Sequence, residues 1–238
     1  MNDLDRVMDL PGVSVIVPVY NDQARIGLLI DSLLAQNYPS DRMEILIVDN
    51  KSTDRTSEII QSYPVCFLQE TEFQSSYAAR NRGIQQAKYD LLAFTDADCR
   101  PDSQWLSEGV QALTRSQADL AAGSVVFTYT KKDAAEIYDS INHLRNKQDI
   151  EKYHSAPTAN LFVHKKIFDQ IGRFPVVESG GDLIWTLTAY RSGFCLGYAD
   201  SAIVYHPSRD MRDLLKKRLR VGRGSFGNWR QSVGIRKA

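Results

Sequence analysis

Two aspartates one residue apart, Asp96 and Asp98, follow a hydrophobic stretch, YDLLAFT at 89–95, that reads as a strand. Residues i and i+2 of a strand share a face, so this spacing aims both carboxylates the same way. Converging carboxylates suit a hard divalent cation. Mg2+ or Mn2+ prefers oxygen ligands and commonly takes one or two carboxylates plus substrate phosphates. Such an ion neutralises the charge of a departing diphosphate. The same residues also fit a plain turn into a helix capped at Asp102 or Ser103, and the spacing alone leaves both readings open. A second Asp-x-Asp, Asp3-Leu4-Asp5, follows no strand and reads as solvated.

The elements that must position these acids are legible from periodicity. Val13–Val19 (VSVIVPV) and Met43–Val48 (MEILIV) are apolar runs suited to strands buried on both faces. Helical spacing predicts a helix over Ala24–Gln36, a short one over Arg55–Ser62, one over Gln74–Lys88 and one from Asp102 or Ser103 to about Arg115. Val65–Leu68, Tyr89–Thr95 and Leu120–Tyr129 read as further strands. Strands alternating with such helices imply a mostly parallel central sheet covered by helices on both faces, an α/β fold. Ligands then bind beyond the carboxyl ends of the strands, where Tyr20-Asn21-Asp22, Asp49-Asn50 and Asp96-Ala97-Asp98 fall. The second half is less regular. It predicts a helix over Ala134–Gln148, a strand over Asn160–His164, a helix after Gly180-Gly181-Asp182, and two short strands, Phe194–Tyr198 and Ala202–Tyr205.

Composition excludes several classes. The chain has 238 residues, 43% hydrophobic and 24% charged, with zero formal net charge, which argues against a bulk polyanion binder and against nucleic acid as a partner. Three scattered cysteines without a CxxC pair give no disulfide framework or structural zinc site and fit a reducing compartment. The first ten residues carry three aspartates and do not read as a signal peptide, and no run approaches the ~18 apolar residues of a membrane span. The expected location is therefore the cytoplasm. Charge is uneven: from Pro207 to Ala238, ten Lys or Arg face two Asp. Met211, Leu214, Leu215, Leu219 and Phe226 fall near helical spacing in that tail. Such a helix suits peripheral contact with an anionic inner membrane face, or equally packs its leucines on the core. The end at Ile235-Arg236-Lys237-Ala238 is abrupt, as in a chain cut from a longer one.

Four segments in order, SVIVPVYND, EILIVDNKSTDRT, SSYAARNRGI and LLAFTDADCRPDSQWL, together resemble a family 2 glycosyltransferase of the GT-A, Rossmann-like fold. The resemblance covers roughly residues 13–106 and is looser from Pro157 to His206. It implies one catalytic domain over 1–206, with a nucleotide-sugar-binding half at about 13–128 and an acceptor-side half at about 129–206, followed by the 207–238 tail.

By that resemblance, Pro18, Val19, Tyr20 and Asn21 line the base pocket, and Asp49 accepts from base or ribose. The family's usual Asp-Asp reads Asp49-Asn50 here, which keeps guanine and thymine open beside the expected uracil of a UDP-sugar. Arg80, in Ala79-Arg80-Asn81-Arg82-Gly83, reaches the nucleotide or holds the acids. Asp96-Ala97-Asp98 is the metal motif for Mn2+ or Mg2+, Asp98 the first ligand and His206 a further candidate. In Glu178-Ser179-Gly180-Gly181-Asp182 a glycine replaces the first acid of the family's pair. Asp182 is the candidate base and Glu178 its reserve. The implied reaction is a single inverting displacement at the anomeric carbon by an acceptor hydroxyl, lipid-linked or glycan. The alternatives are a nucleotide-sugar-binding protein without turnover and a nucleotidyltransferase.

Overall fold

The structure, a computed structural model, describes residues 10–234, with side chains through residue 222. Asp3-Leu4-Asp5 and the Phe226 side chain lie outside what is described. The first half runs β1 (Val13–Val19), α1 (Ile26–Leu34), β2 (Met43–Asp49), α2 (Thr56–Gln61), β3 (Cys66–Gln69), α3 (Ser76–Gln86) and β4 (Leu91–Thr95). A two-residue strand β5 (Arg100–Pro101) and α4 (Trp105–Ser116) follow. The second half comprises β6 (Leu120–Thr128), α5 (Ala134–Asn142), α6 (Asn146–Tyr153), β7 (Asn160–His164), α7 (Lys166–Ile171), α8 (Gly181–Arg191), β8 (Leu196–Pro207) and α9 (Met211–Gly234).

One eight-stranded sheet results, in the order β3-β2-β1-β4-β7-β6-β8-β5. β1 to β4 pair in parallel through the α1, α2 and α3 crossovers, as the alternating pattern requires. The sheet is mixed beyond that point, because β7 lies antiparallel between β4 and β6. The β1 residues Val13, Val15, Val17 and Val19 pack into one core with Ile26, Leu29, Ile30 and Leu33 of α1 and Trp105 and Leu106 of α4. Ile16 faces the opposite core, with Ile84 of α3 and Trp185 of α8. Gly83 is what lets α3 lie this close, since a Cβ there would come within 2.5 Å of Ile16 Cγ2.

Two expected elements differ. The single helix over Ala134–Gln148 is broken in two, because His143 is extended and Leu144 adopts φ 51°, turning its buried side chain inward. The two short strands near the end are one strand, β8, with a register shift against β6. Gly123 pairs with Ala199 and the next residue, Ser124, with Ile203. The fully buried Asn160 stitches this place together. Its Nδ2 donates to Ser124 O and Ala202 O, both at 2.8 Å, and its Oδ1 accepts from Trp105 Nε1 at 2.8 Å. A Cβ on Gly123 would meet both Asn160 Nδ2 and Ala202 O at 2.4 Å.

Candidate active site

A cleft of about 760 Å3 opens at the carboxyl ends of β1 and β4. Its walls bring together Pro18, Tyr20, Arg80, Asp96, Ala97, Asp98, Glu178, Asp182 and His206 from the sequence expectations. The remaining four candidates lie elsewhere. Val19 is core. Asn21 spends its side chain on the 52–53 loop, Oδ1 accepting from Thr53 N at 2.7 Å. Asp49 is buried and accepts from Ser52 N. Asn50 donates to Phe73 O at 2.8 Å, tying down the loop before α3.

The two acids after β4 do not converge as strand neighbours would. β4 ends at Thr95, and Asp96 to Cys99 form a turn in which Cys99 N donates to Asp96 O at 3.0 Å. The strand alternation therefore no longer applies. Arg80, buried on α3, donates through one terminal nitrogen to Asp96 Oδ1, while its Nε has no partner. Asp98 turns instead toward His206, whose Nε2 lies 3.7 Å from Asp98 Oδ2. The zipper between β5 and β8, Arg100 against Tyr205, carries these distant residues to the same place.

Asp98, Cys99 and His206 present ligand atoms within 4.8 Å of one another. The carboxylate and imidazole fit a divalent ion such as Mn2+, with room in the cleft for substrate oxygens. Burial, then the neighbouring carboxylates, push the Cys99 thiol well up. Burial opposes the Asp98 charge, but His206, Arg25 and Arg209 together hold its carboxyl below the usual range. Asp96 is absent from this trio; the guanidinium of Arg80 occupies its carboxylate.

Asp182 has different surroundings. Its carboxylate accepts from Tyr77 OH at 3.1 Å, from Thr158 N at 3.0 Å and Oγ1 at 3.2 Å, and from Leu183 N at 3.0 Å. Burial, then the Asp182 charge, push the Tyr77 phenol up, so it stays a proton donor. Helix α8 starts at Gly181, beside Tyr77. A Cβ on Gly181 would sit 2.8 Å from Pro175 O, a physical reason for the glycine in place of the family's first acid. Glu178 is exposed at the cleft edge.

Several lining residues carried no signal in the sequence. Arg25 pairs with Asp22 at 2.7 Å. Arg209 pairs with the buried Asp139 of α5 at 3.2 Å, and its NH2 lies 3.4 Å from His206 Nε2. The basic tail is part of the cleft: Leu214 of α9 is buried, and Leu214, Lys217, Arg218, Arg220 and Val221 all line it. A tail read as a separate segment gives no hint that its basic face forms a wall. Tyr77 stood inside a quoted motif, one turn before Arg80, and helical spacing was the signal available for it.

A sheet of this order carrying acids after its fourth strand, over a cleft at the strand ends, has the architecture of a GT-A glycosyltransferase. The sequence pattern of Glycosyl transferase family 2 matches residues 14–172, and the chain belongs to that family. It is 43% identical over 227 residues to Glycosyltransferase AglE of Haloferax volcanii, an alignment covering 92% of this chain and 75% of that one. It is 23% identical to Probable glycosyltransferase YdaM of Bacillus subtilis, covering 84% of this chain and about half (52%) of the relative. Among solved structures, the mannosyltransferase PcManGT from Pyrobaculum calidifontis, in complex with GDP-Man and Mn2+, superposes with a TM-score of 0.73 at 22% identity, covering 95% of this chain and 65% of that one. Staphylococcus aureus TarS 1-349 gives a TM-score of 0.66 at 24% identity, covering 82% and 60%. These two likenesses concern the fold. The family sets aside the nucleotidyltransferase alternative.

Proposed function

We propose that the cleft transfers a sugar, with inversion, from a nucleoside-diphosphate sugar to an acceptor hydroxyl, and does so with a divalent cation. The observation that carries this reading is the sharing of one cleft by two unlike carboxylates, Asp98 beside His206 and Asp182 beside Tyr77. Relatives of the same fold support the donor class: TarS structures hold UDP or UDP-GlcNAc, and PcManGT holds GDP-Man with Mn2+. UDP-sugars are the first donors to test, GDP-sugars the second.

Asp98 and His206 would hold the ion. When bound, it supplies charge neutralisation for the leaving diphosphate. Arg80 engages Asp96 on the cleft wall, which leaves Asp98, beside His206, to hold the ion. Asp182 accepts the proton of the attacking acceptor hydroxyl, a role worth ~10²–10⁴-fold in rate. Tyr77 and Thr158 fix the orientation of that carboxylate. Glu178 is the reserve base. Tyr20, half exposed at the rim, offers its ring to the nucleobase.

The acceptor reading uses the outer side of α9. Met211, Leu215 and Leu219 recur every fourth residue and are exposed, beside Arg212 and Lys216. That stripe suits shallow contact with an anionic membrane face, and hence a lipid-linked acceptor. No helix among the described residues is long and apolar enough to cross a membrane. Flotation with anionic against zwitterionic vesicles tests it; partition into neither refutes the contact, and equal partition into both refutes its preference for an anionic surface.

The decisive experiment follows nucleoside diphosphate release from a panel of nucleotide sugars, with Mn2+ or with EDTA, while anomeric configuration is read by NMR. Metal-dependent release with inverted product is expected. Binding of donors without release under any condition would leave the chain a nucleotide-sugar-binding protein.

A further inference from the structure

The cations of the cleft are not equivalent. Arg25 is paired with Asp22, Arg80 with Asp96 and Arg209 with Asp139. Lys217, half-buried on α9, has no carboxylate within ion-pair distance among the described residues. Its ammonium meets the Nε2 of His143. His143 in turn stands edge-on to His206, ring centroids 6.2 Å apart, which places Lys217 two side chains from Asp98. Burial, then Lys217 and Arg209, hold the His143 imidazole down to about 2, so it stays neutral. Burial and then Arg209 also hold the Lys217 ammonium down, to about 7. Asp139 and Asp96 act on this lysine only from a distance, and a lysine taken part-way out of water with no carboxylate in contact is a costly arrangement that an arriving anion would relieve.

Its position also follows from the fold. The helix that should have run through 134–148 breaks at Leu144, which frees His143 to face α9, and Leu214 anchors α9 one turn before Lys217. Charge balance in the cleft points the same way. Asp22, Asp96 and Asp139 are each engaged by an arginine and Arg218 donates to Tyr138 OH, whereas Lys217 reaches the His143–His206 pair beside Asp98. A cation on Asp98 and an ammonium at Lys217 would together match a group with two or more negative charges.

We propose that Lys217 binds a phosphate group of a substrate directly, making α9 part of the substrate-binding machinery. The claim rests on the donor reading above for its ligand class. The phosphate has two candidate sources, the donor diphosphate and a phosphate monoester on the acceptor.

Calorimetry on the full chain separates them. Wild type, Lys217→Met and Lys217→Arg are titrated with UDP, UMP, GDP and GMP in Mn2+. Each is also tested for partition onto phosphatidylcholine vesicles with and without phosphatidic acid. A donor-diphosphate contact predicts that Lys217→Met weakens the diphosphates by about 10- to 100-fold while the monophosphates change little. Lys217→Arg, which keeps the charge, recovers most of the affinity. An acceptor-phosphate contact predicts unchanged nucleotides and lost preference for phosphatidic acid, again recovered by arginine. Unchanged affinity for both probes, or an equal loss for diphosphate and monophosphate, overturns the proposal. If wild type itself bound no nucleoside diphosphate with Mn2+, the donor reading would fall first; wild-type binding with an indifferent Lys217→Met removes Lys217 alone.

Discussion

Asp98 and Asp182 line the same cleft and are chemically opposite. Asp98 stands among charges: His206, Arg25 and Arg209 hold its carboxyl low although burial works against it. Asp182 stands among neutral donors, a phenol, a hydroxyl and two backbone amides. A carboxylate fixed by neutral donors keeps its geometry while a proton comes and goes. A carboxylate set in a field of charges, with few donors of its own, is suited to stay ionised and take a cation. The two roles are separated by their surroundings, since the side chains are identical.

Substitutions can break this contrast in decreasing order of effect. Asp98→Asn keeps the shape and removes the charge; nucleoside diphosphate release should fall about 1,000-fold or more, and EDTA should then change nothing further. Wild-type release indifferent to EDTA would remove the cation from the mechanism. Asp182→Asn should lower kcat by about 10²–10⁴-fold while calorimetry shows donor affinity within about twofold of wild type. If donor affinity fell together with kcat, Asp182 would belong to the donor site. Tyr77→Phe removes one donor from Asp182. With its carboxylate less firmly oriented, kcat should fall roughly fivefold while calorimetry shows donor affinity unchanged. An unchanged kcat with a lowered melting temperature would make the contact purely structural. Asn50→Asp touches neither acid. It takes the donor from Phe73 O, so the melting temperature should fall, by about 1–3 kcal/mol of stability, with kcat nearly unchanged.

The halves of the chain differ in how much of this the sequence disclosed. β1 and β2 are rich in valine and isoleucine and β4 is mostly apolar, and the parallel core follows from them. The resemblance pointed to Asp98 and Asp182 as candidates, and His206 to a lesser degree from its place after a late strand; the structure puts all three on one cleft. The split between Asp96 and Asp98 was not legible, because it depends on Arg80 sixteen positions away and on a turn that ends the strand's alternation. The antiparallel entry of β7 hides in a run, NLFVH, that any buried strand could carry. Asp139, His143, Arg209 and Lys217 were invisible for a further reason. They gain meaning where α5 and α9 meet, and helical periodicity over 134–148 gave no sign that the backbone breaks at Leu144.

The stitched register shift in β8 has a consequence for how such chains can vary. Before it, Ala199 is buried; after it, Ala202, Val204 and His206 are, so the buried positions pass from odd to even numbers. Three residues of β8, 200–202, have no counterpart in β6, and an odd surplus inverts the side-chain phase of everything downstream. Deleting one residue there would turn the imidazole outward and bring Tyr205 in, whereas deleting two would preserve the phase. Length variation at this spot should therefore come in even steps.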